Sequence, residues 1–420
     1  MSRIKHKILL TVISILLICL RNFAQQNFEE PPVGDLIMPE LNNIVFYGNS
    51  ESRFTTLYRN LDTLAMKGKG TINIIHIGDS HIQAGFLPQI MRQQLAETFS
   101  GGVLGRGLIF PYKVAKTNGP PDYAVTFSGK WEHCRNVELT KSTNFGLTGF
   151  YIRTCDSISE ISLHFREEFK GIDFNSVRIL TGQENTSFSV DITNFSGNIT
   201  KHVNGQKGTI ELKLGQYCDS LHLRITRLDT LTKYFTLYGI DLENYDDEIV
   251  YHSMGVNGAS VESFLESSML ENDLDLFRPD WVIISLGTND ASMTRFEGDK
   301  FESEYLQLIQ RIRKAKPGVA ILLTVPGDYY RKRRYDNKNI PELRNRIISV
   351  AQQSGCAVWD LYTLMGGSKS IMRWYSSGLV AKDKLHFTKA GYQLQGRLLF
   401  SAFMKSYFSH LENGQDQFER

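Results

Sequence analysis

Cysteine, net charge and long apolar runs are all scarce in this chain. Only five cysteines occur in 420 residues, and none forms a C-x-x-C pair, so neither a zinc ribbon nor a thioredoxin-type site is supported. Lysine and arginine number 47 against 45 aspartates and glutamates, a formal charge of +2. That balance gives no strong field for a nucleic-acid partner or a membrane surface. The apolar run from Ile8 to Leu20 is shorter than the roughly 20 residues a membrane span requires. No internal repeat, low-complexity tract or long apolar lid is present, and the last of these disfavours lipase action.

The composition is that of an ordinary globular protein, with 41% hydrophobic and 22% charged residues. Arg3, Lys5 and Lys7 precede the Ile8–Leu20 run, the pattern of a signal peptide over residues 1–24 cleaved after Ala24. An uncleaved N-terminal anchor is the competing reading. Cys19 follows Ile18, which is too bulky for a lipobox. Cleavage predicts a secreted or periplasmic protein with no stable membrane span. An oxidising compartment would permit a disulfide among Cys134, Cys155 and Cys218; buried free thiols, Cys356 included, are the alternative.

The length suggests two domains, and the texture of the sequence shows how they are arranged. The apolar run Ile72–Ile77 ends in Gly78-Asp79-Ser80 and is followed by helical periodicity from about Gln83 to Phe99. Between about Tyr112 and Asp246 apolar and polar residues alternate, as in Ser159–Phe165, Ser187–Ile192, Thr209–Leu214 and Leu221–Ile225. Such period-2 runs predict an antiparallel sheet with one buried face. After Val250 strands and helices alternate again: helix 261–277, strand 281–286, helix 301–314, strand 320–325, helix 341–353, strand 357–359 and helix 389–408. The prediction is an α/β fold, a three-layer parallel-sheet domain (25–112 and 247–412) interrupted by an antiparallel β-sandwich (113–246). Residues 413–420 form a tail.

Four segments carry chemistry. Ser80 lies just past a buried strand at the opening of a helix, where ligands of open α/β sheets bind and free amide N–H groups suit an oxyanion. Asp383 and His386 lie three residues apart, so a carboxylate can orient an imidazole that activates a hydroxyl. Gly258, in Gly255-Val256-Asn257-Gly258, can present a backbone N–H. Asn289, in Gly287-Thr288-Asn289-Asp290, ends a strand at the same sheet edge. Singly, each segment also reads as a turn or a helix cap.

Together and in this order, the four segments resemble the four blocks of the SGNH hydrolase superfamily, the GDSL esterases. The resemblance covers about 72–110 and 250–407. It implies Ser80 as nucleophile, His386 as base, Asp383 as its orienter, and an oxyanion hole of Ser80, Gly258 and Asn289, with no metal and no cofactor. Gly255 is a second candidate for the glycine, and Asp360, at a strand end, for the carboxylate. Gly-Asp-Ser-His in place of Gly-Asp-Ser-Leu, with a β-insert after the first block, is similar to exported peptidoglycan O-acetylesterases, whose insert resembles a carbohydrate-binding module. The implied substrate is an acetylated polysaccharide, peptidoglycan or a plant-type glycan. An O-acyltransferase using the same site and a non-catalytic glycan-binding protein remain alternatives. His81 reads as a neighbour of the site and His76 as a core histidine. Arg331–Arg334 is either a solvated loop or a contact for an anionic glycan. The segment Leu104–Phe110 and the pair Trp374-Tyr375 are candidates for the cleft wall, and Trp131 and Tyr123 for sugar stacking.

Overall fold

The computed structural model of the protein describes residues 34–416 except 139–143, 167, 169–171, 182–184, 245 and 247. The expected leader (1–24) and the last four residues of the tail lie outside the described residues. Seven strands form the main sheet: β1 (Ile44–Phe46), β2 (Ile72–Gly78), β3 (Leu104–Gly105), β4 (Ile249–Gly255), β5 (Trp281–Ser285), β6 (Ala320–Val325) and β7 (Ala357–Asp360). Their order is β1-β7-β6-β5-β2-β4-β3. All neighbours are parallel except β1, which pairs antiparallel with β7 at one edge.

The strands are apolar throughout because both faces are covered, and alternate residues supply each face. Ile74, Trp281, Ile283 and Leu322 face one apolar cluster, and Ile75, Val282, Ile284 and Leu323 the other. The first is closed by helices α1 (Ser50–Lys67), α2 (Phe86–Phe99) and α5 (Lys389–Asp416), the second by α3 (Gly298–Ala315) and α4 (Ile340–Ser354). β1 and α1 precede the first predicted strand, within the stretch 25–112 assigned to the host domain but without an element expected there. The helix predicted from about Gln83 starts at Phe86, after a separate turn of helix at Ser80–Gln83, and the helix predicted over 261–277 divides into Val261–Leu265 and Leu270–Phe277. The final helix continues to Asp416, into the expected tail.

The segment after β3 forms two antiparallel sheets. One has four strands (Phe188–Ile192, Ser220–Arg227, Ile158–Phe165, Tyr123–Ser128). The other has six on its main path, with Gly107–Ile109 added against Phe235–Glu243. Ile109 pairs with Ile240, so sandwich pairing starts before residue 113. One continuous core joins the sandwich to the α3/α4 side of the sheet; in it the rings of Phe110 and Phe150 stack at 4.9 Å. At the junction Arg106 Nε contacts Asp122 Oδ2 at 2.5 Å, with both side chains buried.

Several candidate cleft residues belong to this core instead. Leu108, Ile109 and Phe110 are buried, as is Tyr123, whose hydroxyl donates to Phe110 O. Trp374 is buried and donates Nε1–H to Leu36 O, so it is not on the cleft surface. Trp131 donates Nε1–H to Ser128 O and is half-buried against the core. All four described cysteines are free thiols, which removes the optional disulfide. Among the described residues no helix is long and apolar enough to cross a membrane.

Candidate active site

The parallel register places Gly78, Gly255 and Ser285 at one level, so the loops following β2, β4 and β5 leave the same carboxyl edge. β2 is the strand at which the order of connection reverses, and a crevice forms there. Ser80 follows β2 directly.

The turn at Ser80 depends on a close approach. A Cβ at Gly78 would fall 2.3 Å from Ile82 Cγ1 and 2.9 Å from Ser285 O. Asp79 caps the Ser80–Gln83 helix by accepting from His81 N. Ser80 Oγ lies 2.9 Å from His386 Nε2, and His386 Nδ1 lies 2.7 Å from Asp383 Oδ2. An ionised carboxylate only accepts, so Nδ1 carries the proton and the Nε2 lone pair faces the serine hydroxyl. Asp383 Oδ1 accepts from the backbone N–H groups of Leu385 and His386, each at 3.0 Å. Burial alone would raise the Asp383 pKa, but these bonds and that from the His386 ring hold it below the usual carboxylate range. The loop closes through Ala381 N–H to His386 O and Lys384 N–H to Ala381 O, so Asp383 and His386 meet within one turn.

Gly258 has φ +88°, and a Cβ there would meet only Val137 Cγ1, at 3.9 Å. The left-handed backbone, rather than crowding, favours glycine. Asn289 donates one Nδ2 hydrogen to Ala259 O at 2.9 Å, which leaves the second for another acceptor. Among the described residues the N–H groups of Ser80 and Gly258 have no acceptor. Gly255 does a different job: a Cβ there would lie 2.0 Å from Gln83 N. Its absence lets β4 pack against the Ser80 helix. Asp360 caps the helix Leu361–Leu364 and pairs with Arg344 at 2.5 Å, so it is not the partner of His386.

Sequence reasoning missed the supports. Buried Gln83 accepts from Asn257 N at 2.6 Å and donates to Asn118 O at 2.6 Å. Asn257 Nδ2 donates to Asn118 Oδ1 at 2.7 Å. This clamp joins the serine helix, the Gly258 loop and the entry to the sandwich, across separations no local motif reports. Asp290 accepts from Val261 N, and burial raises its pKa to about 7. His81 bonds the Tyr392 hydroxyl, and its ring lies 5.4 Å from that of His386. Burial, outweighing the pull of Asp79, lowers its pKa. His76 lies buried between the Tyr251 and Ser285 hydroxyls, and burial pushes its pKa down to about 3. Among the described residues no group of three His, Cys, Asp or Glu could hold a metal ion.

A hydroxyl, imidazole and carboxylate in series at the carboxyl edge of a parallel sheet define a hydrolase-type site. Residues 233–394 match the GDSL-like Lipase/Acylhydrolase family, a segment that holds Gly258, Asn289, Asp383 and His386 while Ser80 lies before it. The fold is similar to that of a peptidoglycan O-acetylesterase, at TM-score 0.68 and 23% identity over 87% of this chain and 99% of that one. A catalytic mutant of an acetylxylan esterase from Geobacillus stearothermophilus aligns with 37% of this chain and 73% of its own, at 19% identity and TM-score 0.31. No curated protein matches. Residues 233–394 are thus similar to the GDSL-like Lipase/Acylhydrolase family, and the chain shares its fold with a peptidoglycan O-acetylesterase.

Proposed function

We propose that this protein is an exported serine esterase that removes O-acetyl groups from a polysaccharide such as peptidoglycan or a plant-type glycan. The observation that carries the reading is the hydrogen-bonded series Ser80–His386–Asp383, at 2.9 and 2.7 Å. Ser80 Oγ attacks the acetyl carbonyl while His386 Nε2 takes the hydroxyl proton. The N–H groups of Ser80 and Gly258 and the free Asn289 amide hydrogen receive the oxyanion. Collapse expels the sugar oxygen, which takes the proton back from His386. Water, deprotonated by the same imidazole, then releases acetate from Ser80. The chemistry calls for no cofactor. The fold shared with a peptidoglycan O-acetylesterase supports a glycan substrate, and the sandwich is suited to hold polymer beside the site.

The test is acetate release from a panel of acetylated glycans, alongside 4-nitrophenyl acetate turnover, for the wild type, Ser80→Ala and His386→Ala. Each variant is expected to lose at least about 10³-fold in kcat while its unfolding profile stays that of the wild type. Unchanged turnover in either would remove that residue from the mechanism.

A further inference from the structure

Beside the His386 loop stands a short hairpin, Tyr330–Arg331 paired with Tyr335–Asp336. It spans the two loops that carry the proposed site. Tyr330 N donates to Lys384 O at 2.9 Å, and Tyr329 Oη to Thr288 O at 2.5 Å, one residue from Asn289. Arg331 reaches Thr294 Oγ1 at 3.4 Å. The hairpin is therefore a rim of the catalytic cleft rather than a remote loop.

Its charges lack the carboxylate partners that Arg106, Arg178, Arg311 and Arg344 find in Asp122, Asp241, Glu271 and Asp360. Arg331, Lys332, Arg333, Arg334 and Lys384 have no carboxylate partner among the described residues. The nearby acids bond other groups instead, Asp383 to His386, Asp336 to Ser368 and Asp328 to Ile371 N, while Asp336 Oδ1 and Asp328 Oδ1 are buried without a partner. Lys384 lies 5.3 Å from the Tyr330 ring centre and 5.5 Å from that of Tyr375, which is 36% exposed. The turn itself, closed by Arg334 N–H to Arg331 O, has φ +49° at Lys332 and +65° at Arg333. Asparagine and glycine are the residues that suit such a turn. Two long cations stand there against that local preference, and both are exposed.

We propose that this basic, tyrosine-lined rim is a subsite for negative charge on the glycan, and that the substrate is an acidic polysaccharide carrying carboxylate or sulfate near the acetylated sugar. The proposal rests on the esterase reading and adds the substrate class. Guanidinium groups match planar carboxylates and sulfate edges, and the two tyrosine faces offer apolar surface to a sugar ring. Exposed charges also raise the local concentration of an anionic polymer, an effect that falls with salt over a Debye length of about 8 Å.

The variant Lys332→Asn/Arg333→Gly removes two charges and keeps a turn its new residues favour. The expected result is that kcat/KM on an acetylated uronate oligosaccharide, relative to that on 4-nitrophenyl acetate, falls about tenfold from wild type. The wild-type ratio should decline with added salt more steeply than the variant's. A ratio unchanged by the substitution overturns the proposal and leaves the esterase reading standing. Binding separates the two further. In a Ser80→Ala background, acetate-free uronate, sulfated and neutral oligosaccharides are titrated with and without the turn substitution. An acidic oligomer bound more tightly than the neutral one, and weakened by the substitution, supports the subsite even if no ester is cleaved. Equal affinity for all three overturns it, as does binding to anionic phospholipid vesicles with none to acidic oligomers. The uronate and sulfated arms identify which anion the rim selects.

Discussion

Asn289 offers a sharp test of site chemistry at the scale of single residues. One of its amide hydrogens is committed to Ala259 O, so the side chain is held in place before any substrate arrives. The free hydrogen is proposed to meet a charge that exists only in the transition state, and such an interaction acts on kcat rather than on KM. Asn289→Ala is expected to lower kcat about 10²–10³-fold on 4-nitrophenyl acetate with KM nearly constant. Steady-state kinetics decide this, and a change confined to KM would make Asn289 a substrate-binding residue instead. His386 and Asp383 show how much a short loop contributes: two backbone N–H groups and one ring N–H converge on a single carboxylate. These bonds hold the Asp383 pKa below the usual carboxylate range, and the imidazole keeps one orientation.

Elements meet at the site through close backbone approaches. β4 touches the Ser80 helix at Gly255, where a methyl group would lie 2.0 Å from Gln83 N and 2.6 Å from Ile82 C. Both are backbone atoms of a packed turn and cannot step aside. Gly255→Ala is expected to cost about 3 kcal/mol or more and to displace the serine, so that stability and kcat fall together. Gly318, at the head of β6, has nothing within 4 Å of its Cβ position. Gly318→Ala is expected to stay within about 0.5 kcal/mol of wild type. Denaturant unfolding of both variants checks the pair, and equal stabilities would refute the packing argument. The Gln83–Asn257–Asn118 clamp works at the same scale, binding three elements through the buried Gln83 amide, which would be left without partners if the others were lost.

Across the whole molecule, sandwich and hydrolase domain share one core and several buried polar contacts. Asp273, on the helix Leu270–Phe277, is one of these: its Oδ2 accepts from Leu147 N at 2.8 Å at the sandwich boundary. Burial raises its pKa to about 7 from an ordinary value of 3.8, against the smaller effect of that hydrogen bond. Between those two values the folded protein holds a proton that the unfolded chain has released. Stability contributed by this group is therefore fully present below about pH 4 and is lost as pH rises towards 7. Asp273→Asn cannot ionise, so the melting temperature of the variant relative to wild type is expected to increase from pH 4 to pH 8. Thermal melts across that range test it, and a constant difference would mean the carboxyl is ionised in the fold. The shared core also bears on the sandwich itself, which is less an attachment than a wall completed by the host domain.

What the sequence alone determined was local. Buried strands written as unbroken apolar runs, period-2 alternation between 112 and 246, and helix periodicities were all legible, and from them came the α/β class and the interrupted order. Ser80, Asp383 and His386 were legible because strand end, helix start and a three-residue spacing are local patterns. Short or edge elements were not: β1 has three residues, with Val45 48% exposed, and its pairing with β7 joins residues more than 300 apart in the chain. Aromatic residues in 104–131 looked alike whether destined for a cleft or a core, because burial depends on what packs above them. Only the tertiary structure brought Gln83 to Asn257, set Gly255 against the serine helix, and stood an unpaired basic hairpin beside His386. Each of these depends on distances between segments far apart in sequence, and such distances are decided by how the sheet and the sandwich pack, not by any residue's neighbours along the chain.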